Sequence, residues 1–173
     1  LKEDKDLRVN FFKKLEYVGY GGASLPPEIW YGIRDLAKET TGKDLELLCG
    51  WGATETAPLA TSTYFKLDKP GNIGLPIPGM KIKMIPIGNK MELRVKGPNV
   101  TPGYLKRDDL TKKAFDDEGY YLIGDAGRLV DENDPSRGID FDGRVVENFE
   151  FRTRKTSQSA RSRRTVWRIR SHQ

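Results

Sequence analysis

The sequence predicts a mixed α/β chain: a βαβ unit from an α/β sheet layer, followed by a distorted antiparallel β-barrel. Three observations predict it. Residues 15–50 read as strand, helix, strand. After residue 60 the apolar spacing changes from helical to every second residue. From there on, Gly, Pro and Asn punctuate the chain at short intervals, as hairpin-connected strands require.

Leu15-Glu16-Tyr17-Val18 opens the first strand and runs into Gly19-Tyr20-Gly21-Gly22-Ala23. Ser24 precedes Pro26 and Pro27, the pattern of an N-cap with proline in the first turn. Ile29, Ile33, Leu36 and Ala37 recur at helical spacing, and Gly42 ends the helix. Leu45 to Cys49 is a short apolar strand, parallel to the first if the helix is a crossover. In the second half, Met80, Ile82 and Met84 alternate with Lys81 and Lys83. Met91, Leu93 and Val95 alternate with Glu92, Arg94 and Lys96, and Gly88-Asn89 turns the chain between the two runs. Asp108 to Phe115 reads as a short helix. Tyr120–Ile123, Gly127–Val130 and Ile139–Phe141 read as further strands.

Composition narrows the function classes. The chain has 173 residues, one cysteine and one histidine. Cys49 cannot form an intrachain disulfide and fits a reducing, cytoplasmic setting; its apolar neighbours make it a buried strand thiol rather than a nucleophile. The only histidine is His172, so neither a Ser-His or Cys-His pair nor a His-rich metal site operates in the body of the chain. No apolar run is long enough for a membrane-spanning helix.

The net charge of +5 conceals two regimes. Residues 151–173 hold eight Lys and Arg and no acid, whereas the first 150 carry a net −3. The body uses mainly lysine and the tail mainly arginine. Such a tail reads as an arm for an anionic partner, as a solvated disordered tail, or as non-native sequence; the abruptness of the change favours the last. The organisation expected is an α/β segment over 1–60, a barrel-like segment over 61–148, and the Arg-rich tail over 149–173.

The chemistry concentrates in three places. Residues 50–58, Gly-Trp-Gly-Ala-Thr-Glu-Thr-Ala-Pro, bring together an indole, bulk-free backbone, hydroxyls and a carboxylate. Those groups suit a base, a phosphate and a hard cation. Gly-Tyr-Tyr-Leu-Ile-Gly-Asp-Ala-Gly (119–127) and Phe-Asp-Gly-Arg (141–144) follow. Each has a bland alternative: Trp51 as core, Glu55 as a cap on a helical turn, Asp125 as a turn residue between Gly124 and Ala126.

Taken in order, these segments resemble the adenylate-forming enzymes, which comprise acyl- and aryl-CoA synthetases, luciferases and the adenylation domains of peptide synthetases. Tyr-Gly-Gly-Ala-Ser-Leu-Pro (20–26) resembles their substrate and adenine loop. Gly-Trp-Gly-Ala-Thr-Glu-Thr (50–56) is similar to their Tyr-Gly-x-Thr-Glu signature. Residues 92–104 resemble the segment ending in Gly-Tyr, 121–125 the Thr-Gly-Asp motif with Ile for Thr, and 141–144 the Gly-Arg that ends their large domain. The wording of 52–58 and 134–145 is most similar to the feruloyl-CoA synthetase branch.

The resemblance implies the second half of the family's large domain. It also implies a two-step reaction with ATP, Mg²⁺ and CoA, in which an aryl or fatty acid becomes an acyl-adenylate and then a thioester. By the same resemblance Trp51 would stack on adenine and Thr54 would bond the α-phosphate. Glu55 would ligate Mg²⁺, Asp125 would take the ribose hydroxyls, and Arg144 would contact ribose or phosphate. Gly21, Gly22, Ala23 and Gly52 would let backbone approach the nucleotide closely. Gly103-Tyr104 reads as structural.

Three features depart from the family pattern. The Gly- and Ser/Thr-rich phosphate loop is absent, the C-terminal domain with its late lysine is absent, and the pattern stops after Glu147-Asn148-Phe149. The expected chain is therefore a fragment of an acid–CoA ligase, inactive alone. The alternatives are an adenylate-former that loads a carrier-protein thiol, and a non-enzymatic module with an Arg arm. Nucleic acid is not an expected partner.

Overall fold

The computed structural model describes residues 1–145 and 167–170. The end of the family pattern at 147–149, the arginine run before Trp167 and His172 lie outside the described residues.

Two sheets form. The first has the order β1-β2-β3-β4, from Tyr17–Gly21, Glu46–Trp51, Thr61–Ser62 and Leu75–Pro76. β1 and β2 are parallel, with Tyr17 opposite Glu46 and Gly21 opposite Gly50, and α2 (Pro27–Thr41) crosses between them. α1 (Lys5–Phe12) packs on α2. The second sheet has the order β8-β7-β6-β5-β9, with every pairing antiparallel. Its strands are β5 (Lys81–Ile87), β6 (Lys90–Lys96), β7 (Tyr121–Leu129), β8 (Ile139–Arg144) and β9 (Trp167–Arg170), and α3 (Asp108–Ala114) links β6 to β7. The α/β class and the antiparallel second half are as the sequence predicts. Among the described residues no helix is long and apolar enough to cross a membrane.

Several local expectations shift. Helix α2 starts at Pro27 with Pro26 in the cap position and no side-chain cap; Ser24 stays in the preceding loop. Gly42 ends it at φ 71°, its N–H reaching Lys38 O at 2.8 Å, a left-handed stop that suits glycine. The buried stripe is led by Trp30 and Ala37, while Ile29 points outward at 53% exposure. The indole has more apolar area to bury than isoleucine, so it takes the face toward Phe12, Leu45, Leu47 and Leu67.

β7 is one strand rather than two. Its register slips against β6 between Glu92 and Arg94, and against β8 between Asp125 and Gly127. Gly124 sits in this irregularity at φ 80°. Bulges of this kind re-aim side chains, and the residue re-aimed here is Asp125.

β9 lies within the stretch read from sequence as an arginine-rich tail. It covers the β5 edge with Ile169 opposite Ile82 and Trp167 opposite Met84, and Ile169 is buried in the main core. Arg168 reaches Glu118 at 3.0 Å.

Lys83 also departs from the alternation. It is 3% exposed, with Nζ 2.6 Å from Asp116 and 3.0 Å from Glu118, over the Tyr120 ring. Burial alone would raise the Asp116 carboxyl. Hydrogen bonds from Lys83, the Tyr120 amide and Arg94 outweigh it and draw the pKa down to about 2. A carboxyl depressed in the folded state stabilises above its unfolded pKa and stops doing so as pH falls toward 2. Between pH 4 and 2 the urea midpoint should therefore fall, by the equivalent of about 2 kcal/mol from this group. An Asp116→Asn chain should be less stable at pH 7 and show a flatter acid limb. An unchanged acid limb would remove this ion cluster as its cause.

Candidate functional site

A cavity of about 570 Å³ lies where the end of β2, the loop after β1 and the bulge of β7 meet. Tyr20, Gly22, Ala23, Ser24 and Leu25 form one wall, Gly50, Trp51 and Gly52 another, and Asp125, Phe141 and Arg144 a third, with Pro70 and Gly71 beside them. A second hollow of about 530 Å³ lies across the β1–β2 ends and is lined by Gly21, Pro58 and Leu59 among others.

The walls are tied together by specific bonds. Trp51 Nε1 donates to Asp125 Oδ2 at 2.9 Å, a buried bond between residues 74 positions apart that joins the two sheets. Arg144 Nη1 donates to Asp125 Oδ1 at 2.6 Å and to Ile123 O at 3.1 Å. Lys90 Nζ holds the end of β8 through the carbonyls of Asp142 and Arg144, at 2.7 and 3.1 Å. The Phe141 amide bonds Gly71 O at 3.0 Å, which fixes the Pro70–Gly71 loop to β8.

Gly22 has φ 77°, a backbone state that side chains disfavour. Gly52 is required for a different reason: a Cβ there would overlap the Pro58 carbonyl and Thr56 Oγ1. The chain turns back sharply at Thr54–Thr56, a single 3₁₀ turn. Thr56 Oγ1 closes it by bonding both the N–H and the C=O of Ala53 at 2.9 Å. Asn99 Nδ2 spans it, donating to Thr56 O at 2.5 Å and Leu59 O at 2.7 Å.

Of the residues singled out from sequence, Gly22, Ala23, Trp51, Gly52, Asp125 and Arg144 line the one cavity. Gly21 faces the second hollow. Thr54 and Glu55 line neither. Thr54 is exposed at the start of the 3₁₀ turn, and Glu55 is half-buried against Tyr104.

Tyr104 OH donates to Glu55 Oε1 at 2.8 Å and lies 3.2 Å from Tyr121 OH, while the Thr101 amide bonds Glu55 O at 2.8 Å. The Tyr104 bond holds the Glu55 carboxyl below the usual carboxylate range. Burial, then Tyr104 and the Glu55 charge, push the Tyr121 hydroxyl upward. The Gly-Tyr pair read from sequence as structural therefore supplies the partner of Glu55, which spacing alone did not reveal.

Cys49 lies on the cavity wall, and burial raises its thiol, so it is not a ready nucleophile. Burial beside Cys49 likewise pushes the Tyr20 hydroxyl up to about 12. Among the described residues no group of three His, Cys, Asp or Glu side chains could hold a metal. A lone carboxylate such as Glu55, held below the usual carboxylate range, is compatible with Mg²⁺, which is commonly bound by one carboxylate together with substrate phosphates.

The arrangement offers an indole, a carboxylate, a guanidinium and a bare backbone around one hollow. A family model described as AMP-binding enzyme matches residues 2–105. The chain is 34% identical over 109 residues to probable 4-coumarate–CoA ligase 2 of Dictyostelium discoideum, covering 58% of this chain and 20% of that protein. It is 29% identical over 134 residues to the chloroplastic long-chain-fatty-acid–[acyl-carrier-protein] ligase AEE15 of Arabidopsis thaliana, covering 73% and 18%. A solved malonyl-CoA ligase, in a ternary product complex with methylmalonyl-CoA and AMP, superimposes with a TM-score of 0.65 at 26% identity, covering 84% of this chain and 30% of that one. The chain thus spans about a fifth of the length of the curated relatives it matches.

Proposed function

The chain belongs to the AMP-binding enzyme family, and we propose that its cavity is the AMP half of an acid-activating site in an acid–thiol ligase. The observation that carries this reading is the convergence of Trp51, Asp125 and Arg144 on one hollow with the Gly22–Ala23 backbone. Trp51 offers an aromatic surface to adenine; stacking of this kind contributes about 1–3 kcal/mol per base. Asp125 accepts the ribose hydroxyls, and Arg144, a fixed fork of donors, contacts ribose or phosphate. Thr54 and Glu55 line neither hollow, and their roles toward the α-phosphate and Mg²⁺ are supported by the motif wording of 50–56. Glu55 is the ligand for Mg²⁺, which when bound neutralises phosphate charge.

In the reaction proposed for the whole enzyme, a carboxylate oxygen attacks the α-phosphorus of ATP. The bond to the β-phosphate breaks and pyrophosphate leaves. The sulfur of CoA then attacks the acyl carbon, its proton passes to solvent, and AMP leaves. The reaction needs no acid or base from the described residues, which orient the nucleotide and stabilise charge. The substrate is an aryl or fatty acid. The wording of 52–58 and 134–145 supports a feruloyl-type acid, and the buried free thiol of Cys49 supports a cytoplasmic setting. A second reading, transfer to a carrier-protein thiol, is supported by the likeness to a relative so named.

The 173 residues are expected to bind AMP yet release no pyrophosphate from ATP and an aryl acid, because a chain that spans about a fifth of the length of the curated relatives it matches is too little to enclose the mixed anhydride against water. Calorimetric titration with AMP and a coupled pyrophosphate assay check both halves. Absence of AMP binding defeats the site reading, and pyrophosphate release defeats the fragment reading.

A further inference from the structure

Trp51 meets Asp125 with the edge of its ring. The indole Nε1 donates to Oδ2 at 2.9 Å, and both residues are buried at 8% exposure. Arg144 Nη1 takes the other oxygen at 2.6 Å. A carboxylate offers about four lone-pair sites, so about two stay open to a ligand.

We propose that Trp51 is a positioning residue for the sugar: its indole N–H fixes the Asp125 carboxylate so that the open lone pairs receive the vicinal diol of a ribose. The inference rests on the cavity being an AMP site and gives Trp51 a role beyond offering a surface to the base. Carboxylate torsions are broad, so Asp125 needs a second anchor to hold one orientation. Arg144 alone is a weak one, since its side chain is 54% exposed. The Trp51 N–H is the anchor that stays fixed: Trp51 belongs to the main core and pairs with Thr61 in the first sheet. Trp51→Phe keeps an aromatic face and removes the donor together with part of the ring, a packing loss that falls on both nucleotides alike.

The test titrates the 173-residue chain and its Trp51→Phe variant calorimetrically with AMP and with 2′,3′-dideoxyadenosine 5′-monophosphate. The wild type should prefer AMP. In Trp51→Phe that preference should shrink about tenfold, the worth of one hydrogen bond to a charged group. Affinity for the dideoxy nucleotide should change less than about threefold, because the stacking face survives. Equal losses for both nucleotides would mean that Trp51 acts only by stacking or packing, and would overturn the proposal. A wild type that binds AMP with no preference over the dideoxy nucleotide overturns it while leaving the AMP reading intact; a wild type that binds neither overturns both.

If Trp51→Phe fails to fold, ¹⁵N spectra of the wild type decide. The indole N–H displaced by Asp125→Asn should move on adding AMP and stay in place on adding the dideoxy nucleotide. Equal movement with both, or none with AMP, overturns the proposal.

Discussion

Replacing Asp125 by alanine is expected to weaken AMP binding by at least about 100-fold, the loss of two hydrogen bonds to a charged acceptor. Asp125 is buried, and its carboxylate is the acceptor for both Trp51 Nε1 and Arg144 Nη1. Its removal also leaves the indole N–H buried without an acceptor and uncouples the two sheets at the cavity. A destabilisation of about 1–3 kcal/mol should accompany the lost affinity. Asp125→Asn separates the two effects: the amide keeps the volume and one acceptor, so stability should recover more than affinity. Calorimetry and urea unfolding on both variants measure this. Full AMP affinity in Asp125→Ala would remove Asp125 from the site.

The second large effect concerns Gly52. A methyl there would meet the Pro58 carbonyl and the Thr56 hydroxyl, backbone and a buried side chain that cannot move aside. Thr56 is fully buried, and its hydroxyl closes the turn on Ala53. Gly52→Ala should therefore destabilise by about 2–4 kcal/mol, lowering Tm on the order of 10 °C. It should also weaken AMP binding, because the displaced turn follows directly on Trp51. Gly32→Ala is the opposing control. Gly32 lies within α2 with nothing within 4 Å of a built Cβ and a helical backbone, so alanine should stabilise by about 0.5–1 kcal/mol. A Tm for Gly52→Ala within about 2 °C of the parent would show that the turn relaxes at no cost.

Much of this was legible in the sequence because local patterns and ordered motifs carried it. The period of two over 80–96 located the β5–β6 hairpin, and the Gly-Pro signals framed the βαβ unit, as local turn chemistry and side-chain alternation should. What escaped was set by tertiary contacts. Lys83 occupies an outward position in the alternation, yet Asp116 and Glu118, 33 and 35 positions later, receive it. Ile29 and Trp30 both fit a helical stripe, and the larger ring won the core. One strand with a bulge replaced two predicted strands because Gly124 allows the chain to continue at positive φ.

At the site, the motifs singled out Trp51, Asp125 and Arg144, which line one cavity, but not that the indole edge would face the carboxylate. Nor did they connect Tyr104 to Glu55 across 49 positions. The Val-Trp-Arg-Ile-Arg stretch was absorbed into a charge argument about the tail. Its alternation of apolar and basic residues, now seen in β9, was the available signal of a half-buried strand.

The most direct test of the AMP site is photolabelling of the 173-residue chain with 8-azidoadenosine 5′-monophosphate, with the adduct mapped by peptide mass spectrometry. The label should fall within residues 20–25 or 49–52 and disappear when AMP is present in excess. Label scattered over the lysine-bearing surface, or confined elsewhere and indifferent to AMP, would contradict a nucleotide seat built from Trp51, Asp125 and Arg144.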